Sequence, residues 1–318
     1  MSEDIVLVTS VAFDEHDAST AGRLRSAGLT LRVAPKRGPR PSDELRELLR
    51  DVVGAIVSSE RFDSALLEEC QRLRVIARTG VGFDSIDLEA ATRAGIVVTT
   101  TPGANEESVA DHTLALLLGI VRRLVELNSS VRRGEWKRSS SDLPTELHAS
   151  TVGIVGFGRI GRAVARRVEA FGATVIVSDP ALESSCPLDE LLPRVDAVTL
   201  HLPLSSETRH LIGARELALM RPEAILINTS RGGVVDEDAL VAALSSGALR
   251  GAGLDVFEEE PPVGSALLEL PNVLLSPHNA GLSDKAARRM NEAAVRSVLN
   301  VLADRRPEGA LNWELIRR

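Results

Sequence analysis

The 318-residue chain contains no tyrosine, two tryptophans and three methionines. Its only cysteines are Cys70 and Cys186, which excludes both a disulfide framework and a four-cysteine zinc site. The longest apolar run, Leu114 to Val121, is eight residues. A membrane-spanning helix needs about 20, so no membrane partner is expected. The opening residues Met1-Ser2-Glu3-Asp4 are acidic and lead into Ile5-Val6-Leu7-Val8. A secretory signal starts basic instead, and a cytoplasmic protein is the expectation. The formal charge of −8 argues against a nucleic-acid partner. A small anionic substrate would have to meet local arginines. The chain has 34 arginines against three lysines, an excess that reads as coding bias rather than function.

What is present is ordinary globular material. A composition 44% hydrophobic and 26% charged excludes a disordered chain. The length suits about two domains. Short apolar runs at Ile5-Val8, Leu31-Val33, Ala55-Val57, Val75-Ala77 and Ile96-Thr99 alternate with helical patterns near 16–27, 43–51, 63–71 and 87–94. That alternation predicts a parallel sheet covered by helices. Asn105 to about Val131 reads as one long helix, apolar around much of its circumference at Val109, Leu114, Leu117, Leu118, Val121, Leu124 and Val125. A polar stretch from Arg132 to Ser150 follows, as a linker or a protruding arm. Six further strands are expected at Val152-Val155, Thr174-Val177, Ala197-Leu200, Ala224-Ile227, Leu249-Leu254 and Val273-Leu275, with helices near 159–170, 213–220, 236–246 and 283–303. Six strands with crossover helices make a dinucleotide-binding domain. The last helix, apolar at Ala286, Met290, Ala294, Val298 and Val301, is expected to return the chain to the first domain. The expected division is 1–103 with 291–318, and 104–290.

The strand Val152–Val155 runs into Gly156-Phe157-Gly158-Arg159-Ile160-Gly161 and then a helix. Gly156 permits the tight turn, Gly158 lets backbone approach a pyrophosphate, and Gly161 lets helix pack close to strand. The helix N-terminus offers N–H groups to phosphates. Asp179 ends the next strand, 18 residues after Gly161. A carboxylate there binds the adenosine ribose hydroxyls and repels a 2′-phosphate, which points to NAD as cofactor. Three more segments carry polar residues where strands should end: Asn228-Thr229-Ser230-Arg231, Leu254-Asp255 to Glu260-Pro261, and Ser276-Pro277-His278. Ligands of open α/β sheets lie beyond the carboxyl ends of the strands. Arg231 would supply a planar fork for a carboxylate, and His278 beside Glu260 an acid–base dyad. Spacing alone leaves His278 open as a loop histidine and Glu260 as part of a solvated acidic run.

Thr229-Ser230-Arg231-Gly232-Gly233 with Val235-Asp236-Glu237, Leu254-Asp255-Val256-Phe257 with Glu260-Pro261, and Pro277-His278, in this order below the glycine loop, resemble the D-isomer-specific 2-hydroxyacid dehydrogenases. The resemblance covers nearly the whole chain. It implies an α/β fold of two doubly wound parallel-sheet domains, a Rossmann NAD-binding domain inserted in a flavodoxin-like substrate domain. It implies hydride transfer between NAD(H) and a small D-2-hydroxy or 2-oxo carboxylate, of hydroxypyruvate, glyoxylate or 3-phosphoglycerate type. By the same resemblance Arg231 holds the substrate carboxylate and polarises its keto oxygen. His278 is the acid–base residue, and Glu260 orients it and favours its protonated form. Asp255 lies beside the nicotinamide carboxamide, and Arg159 and Ile160 lie over the pyrophosphate. Leu202 and Thr229 line the cofactor cleft, with Gly281 also on the cofactor side. In the first domain, Arg78-Thr79-Gly80-Val81-Gly82-Phe83-Asp84 resembles the loop whose amides, here Val81 and Gly82, grip the substrate carboxylate. Asp84 reads as a loop brace, and His201, Asp111 and His112 read as structural. The family pairs through its connecting helix, so a homodimer through 105–131, Trp136 and 139–150 is implied.

Several departures bear on the substrate. Phosphoglycerate enzymes typically carry an arginine after the strand near residue 57. Here Ser58-Ser59-Glu60 follow, with Arg61 nearby. A D-lactate-type site often uses a tyrosine, and this chain has none. Formate dehydrogenases place glutamine where Glu260 stands. Phosphite dehydrogenase shares the Arg, Glu and His, and NAD-sensing corepressors keep the same residues while acting by binding. Those two readings stay open on sequence alone.

Overall fold

The computed structural model describes residues 3–35, 40–136, 138 and 143–317. The chain divides into two units, Met1–Asn105 with Leu282–Arg318, and Glu106–Gly281.

In the first unit, β1 (Ile5–Val8), α1 (Ala21–Ser26), β2 (Thr30–Val33), α2 (Ser42–Leu48), β3 (Val52–Val57), α3 (Ser64–Glu69), β4 (Val75–Arg78), α4 (Leu88–Arg93) and β5 (Val97–Thr99) follow in order. The strands form one parallel sheet in the order β2-β1-β3-β4-β5, the flavodoxin-like winding. Every residue of β3 is buried, as expected of a parallel strand covered on both faces. Successive residues of β1 feed opposite layers. Leu7 packs with Leu45, Leu66, Ile76 and Ile96, while Val6 packs with Phe13, Leu24, Ile56 and Val75. Asp63 and Asp87 cap α3 and α4 by accepting from Leu66 N and Ala90 N, caps worth ~1 kcal/mol each. Just past β3, Glu60 is buried against Arg40 at 2.7 Å. Removing one partner of such a pair strands a buried charge and typically costs ~3–5 kcal/mol.

The second unit holds α5 (Glu106–Val121), α6 (Leu124–Arg132), β6 (Thr151–Val155), α7 (Arg159–Ala170), β7 (Thr174–Ser178), α8 (Leu188–Leu191), β8 (Ala197–Leu200), α9 (Ala214–Leu219), β9 (Ile225–Asn228), α10 (Glu237–Ser246), β10 (Gly251–Leu254) and β11 (Val273–Leu275). Its parallel sheet runs β11-β10-β9-β8-β6-β7. The direction of winding reverses beside β6, which sets the switch point where such sheets bind ligands. Outside β7, the backbone of Cys186 bonds Val177 O at 2.9 Å and Ser185 Oγ accepts from Asp179 N at 2.7 Å. α11 (Asp284–Leu302) and α12 (Trp313–Ile316) belong to the first unit. Ala286, Met290, Ala294, Val298 and Val301 form the buried face of α11.

The structure differs from the sequence reading in three places. The single helix from Asn105 to Val131 is two helices. Val121 O accepts from Thr145 N at 2.9 Å, and Arg123 turns left-handed at φ 53°, so the helical ladder stops. Leu124, Val125 and Val131 on α6 are exposed rather than core, each at 55%. The first helix begins at Ala21, not near 16, because the Asp17 carboxylate takes Ser19 N in a local turn. The return to the first unit comes at Leu282, ahead of residue 291, just before Ser283 caps α11 by accepting from Ala286 N. Among the described residues no helix is long and apolar enough to cross a membrane.

Candidate active site

The functional side chains of the second unit gather at the carboxyl ends of its strands. The sheet ladder carries on into each loop there. Gly156 N bonds Ser178 O, His201 N bonds Val155 O, Asp255 N bonds Asn228 O, and Ser276 N bonds Leu254 O, all at 2.8–2.9 Å. These bonds align the loops that bear Gly156, His201, Asp255 and His278.

At the switch point, Gly156 has φ +90°, and a Cβ there would lie 2.6 Å from His201 O. A Cβ on Gly161 would lie 2.2 Å from Gly156 O, so α7 crosses β6 with no room for a side chain. Gly158 is the opposite case. It is exposed, a Cβ there would meet nothing within 4 Å, and no side chain caps α7. Open space in front of an uncapped helix N-terminus fits a pyrophosphate. Arg159 and Ile160 form the first turn of α7 at this opening. Asp179, at the end of β7, is fixed in place: Oδ2 accepts from Phe157 N at 2.6 Å and Oδ1 from Ala181 N at 2.9 Å. These two amides hold the Asp179 carboxyl below the usual carboxylate range, against a small opposing effect of burial. Leu202 packs over Gly156. His201 bonds Thr199 Oγ1 through Nε2 at 3.0 Å. Burial pushes its imidazole down to about 3, so it is neutral at working pH and suited to packing rather than proton transfer.

Arg231, Glu260 and His278 come together in this unit. His278 Nδ1 lies 2.7 Å from Glu260 Oε2, and Glu260 Oε1 accepts from Phe257 N at 3.2 Å. Burial works to raise the Glu260 carboxyl. The hydrogen bond and charge of His278, the Phe257 amide and the nearby Arg231 guanidinium prevail and hold it below its ordinary value. Glu260 therefore stands apart from the acidic run it belongs to, in which Glu258 pairs with His210 at 2.9 Å. Arg231 leads a short turn, Gly232–Val234, with Asn228 Nδ2 donating to Arg231 O at 2.8 Å and Arg231 Nη1 donating to Ser230 O at 2.6 Å.

Asp255 is fully buried. It accepts from Ser276 Oγ at 2.6 Å, Asn279 N at 2.9 Å and Ala280 N at 2.8 Å. Its carbonyl accepts from His278 N at 2.8 Å. The sequence reading missed Ser276, although its place two residues before His278 was a usable signal. Thr229 bonds Thr113 Oγ1 on α5 at 2.9 Å. Asp111 forms a surface pair with Arg167 at 2.8 Å. Gly281 ends the unit.

In the first unit, Val81 and Gly82 follow β4 in a loop whose Val81 is 39% exposed. Gly80 N donates to Thr101 Oγ1 at 2.9 Å, and Gly80 O accepts from Thr101 N at the same distance. The loop is thus pinned at its base and open at its tip.

A family model described as the D-isomer specific 2-hydroxyacid dehydrogenase, NAD binding domain, matches residues 114–280. The glyoxylate reductase of Thermococcus gammatolerans is 42% identical over 301 residues, covering 90% of each chain. The solved TT0316 protein of Thermus thermophilus superposes with a TM-score of 0.88 at 42% identity, over 96% of this chain and 99% of that one. A D-lactate dehydrogenase from Aquifex aeolicus, complexed with NAD and lactic acid, superposes with a TM-score of 0.81 at 32% identity, over 99% and 98%. With a family match across more than half its length and relatives this similar end to end, the chain belongs to the D-isomer-specific 2-hydroxyacid dehydrogenases, oxidoreductases that pass hydride between a nicotinamide cofactor and 2-hydroxy or 2-oxo acids.

Proposed function

We propose that this enzyme reduces a small, unphosphorylated 2-oxo acid, of glyoxylate or hydroxypyruvate size, with NADH, and oxidises the D-2-hydroxy acid in reverse. The observation that carries the reading is the 2.7 Å His278–Glu260 pair with Arg231 beside it. NADH supplies the hydride when bound. Arg231 offers its planar fork to the substrate carboxylate and keto oxygen. Glu260, as a carboxylate, accepts the proton-bearing Nδ1 of His278, which leaves Nε2 to give a proton to the keto oxygen or take it back. Val81 and Gly82 keep their assignment as carboxylate-binding amides of the first unit. Gly156, Gly158, Arg159, Ile160, Gly161, Asp179, Leu202, Thr229, Asp255 and Gly281 keep theirs on the cofactor side. An unphosphorylated substrate is supported by the end of β3. Ser58 and Ser59 stand where phosphoglycerate enzymes have an arginine, and the next residue buries a carboxylate against Arg40. Steady NADH oxidation with glyoxylate or hydroxypyruvate, at far higher efficiency than with phosphohydroxypyruvate, is expected. Binding of NADH without turnover of any 2-oxo acid would overturn the enzyme reading in favour of a sensor.

NAD preference is assigned to Asp179. Its carboxylate is fixed by two amides, ready to accept ribose hydroxyls and to repel a 2′-phosphate. Asp179→Ala should cut the NADH-to-NADPH ratio of kcat/KM by about tenfold or more, the worth of roughly 1.4 kcal/mol. An unchanged ratio would remove Asp179 from the role.

The homodimer is assigned to α6 and the arm that follows. Leu124, Val125 and Val131 at 55% exposure, Trp136 at 79% and Leu143 at 65% form an unusual run of exposed large apolar side chains, which is a mark of an interaction surface. Residues 137 and 139–142 of the proposed arm lie outside the described residues. Sedimentation at micromolar concentration should give a dimer, and Val125→Glu with Trp136→Glu should give a monomer. A wild-type monomer there contradicts the assignment. We place the enzyme in the cytoplasm, in keeping with two free cysteines. Recovery with an extracytoplasmic fraction of its source cells would contradict that placement.

A further inference from the structure

We propose that His112, on α5, is a positioning residue of the reaction, holding the turn that presents His278 through a chain of side-chain hydrogen bonds. The inference rests on the reading of His278 as the acid–base residue.

His112 Nε2 lies 2.8 Å from Ser276 Oγ, and Ser276 Oγ lies 2.6 Å from Asp255 Oδ1. His112 Nε2 is itself 3.5 Å from that carboxylate oxygen. The direction of the protons follows from donor counting. Both Asp255 oxygens already accept backbone N–H groups, from Asn279 and Ala280. The hydrogen between Ser276 and Asp255 therefore comes from the hydroxyl. A hydroxyl has one hydrogen, so Ser276 must accept from His112, whose proton sits on Nε2. The chain reads His112 Nε2–H to Ser276 O–H to Asp255.

Every link beyond His112 belongs to the turn that carries His278. Ser276 precedes it by two residues. Asp255 accepts from the two residues after it, and the Asp255 carbonyl accepts His278 N at 2.8 Å. The turn needs this support because His278 sits at φ +53°, a conformation uncommon for a residue other than glycine. α5 braces the far side of the same turn, where Ser108 Oγ donates to Ala280 O at 2.9 Å. Loss of His112 would leave Ser276 Oγ with an unfilled acceptor and its hydroxyl held by Asp255 alone, one fixed partner instead of two. The turn would then relax, and Nε2 of His278 would lose its aim. A misplacement of about 1 Å at a reacting group costs up to ~10²-fold in rate.

The experiment compares His112→Ala, His112→Gln, Ser276→Ala, His112→Ala/Ser276→Ala and His278→Ala in the full-length enzyme, reading kcat and KM for the 2-oxo acid and NADH together with Tm. Glutamine places an N–H donor where Nε2 was. The expected result is a kcat lowered about ten- to hundredfold in His112→Ala. Any rise in KM for NADH, through the cofactor-side Asp255 at the end of the chain, should be smaller than the loss in kcat. His112→Gln should recover most of the lost kcat. The double variant should be scarcely worse than either single one, because both break one chain. Wild-type kcat in His112→Ala, beside an inactive His278→Ala, would overturn this inference alone. Equal losses in His112→Ala and His112→Gln, accompanied by a fall in Tm, would overturn it in favour of simple packing. Wild-type activity in His278→Ala would overturn the acid–base reading on which it stands.

Discussion

His278→Ala should lower kcat for 2-oxo acid reduction by about 10²–10⁴-fold, the usual worth of a positioned general acid, with a much smaller change in NADH binding. The size of the effect follows from geometry. Nδ1 is committed to Glu260 at 2.7 Å, which leaves Nε2 for the proposed proton transfer, and of Arg231, Glu260 and His278 only the histidine could exchange a proton with the keto oxygen there. Glu260 is itself a carboxylate, and Arg231 does not give up a proton. Stopped-flow or steady-state loss of NADH absorbance measures it. A kcat within about threefold of wild type would remove His278 from proton transfer.

Arg231→Lys should be nearly as damaging, lowering kcat/KM by about 10²–10³-fold through both a raised KM for the 2-oxo acid and a reduced kcat. A lysine keeps the positive charge but not the fork. The carboxylate would lose its paired donors, and the keto oxygen its polarising N–H. The surroundings make the position unforgiving. Asn228 fixes the Arg231 carbonyl, and the next residue, Gly232, would drive a Cβ to 1.9 Å from the Phe257 carbonyl carbon. Such close packing leaves the backbone little room to bring a shorter amine into reach. A change in KM alone, with kcat intact, would mean that Arg231 binds the substrate without acting in the transition state.

Much of the fold was legible in the sequence because parallel strands buried on both faces are continuous apolar runs, such as Ala55–Val57 within β3, and glycines punctuate them. The glycine loop was legible for a similar reason. Gly156 and Gly161 are positions where no other residue fits, so chemistry and spacing coincide. The break at Arg123 was not legible. Leu124 and Val125 continue the apolar pattern of α5, and the carbonyl of Val121 is taken by Thr145 N, 24 residues away in sequence, beside a left-handed Arg123. Their exposure on α6 was equally hidden, since periodicity reports apolar residues and not what covers them. In the site, Arg231, Glu260 and His278 were singled out on residue type and resemblance. Their convergence depends on three loops placed by sheet register. The Asp255–Ser276–His112 chain escaped because it joins residues over a hundred positions apart, and because a serine before Pro277 reads as ordinary loop chemistry.

In the proposed mechanism Glu260 and His278 act as one acid–base pair, and the pH dependence of 2-oxo acid reduction in wild type and Glu260→Gln decides whether they do. Glu260 is held below the ordinary carboxylate range, so it is ionised above that range and loses its charge only as pH falls through its lowered value. Across neutrality it stays an anion, hydrogen-bonded to the imidazole that would carry the transferred proton. Reduction consumes that proton, so the wild-type rate should fall as pH rises, and the falling limb belongs to the pair rather than to either residue. Glutamine keeps a hydrogen-bond acceptor for Nδ1 but removes the charge, so the limb should move to lower pH. A falling limb at the same pH in both proteins would contradict the dyad.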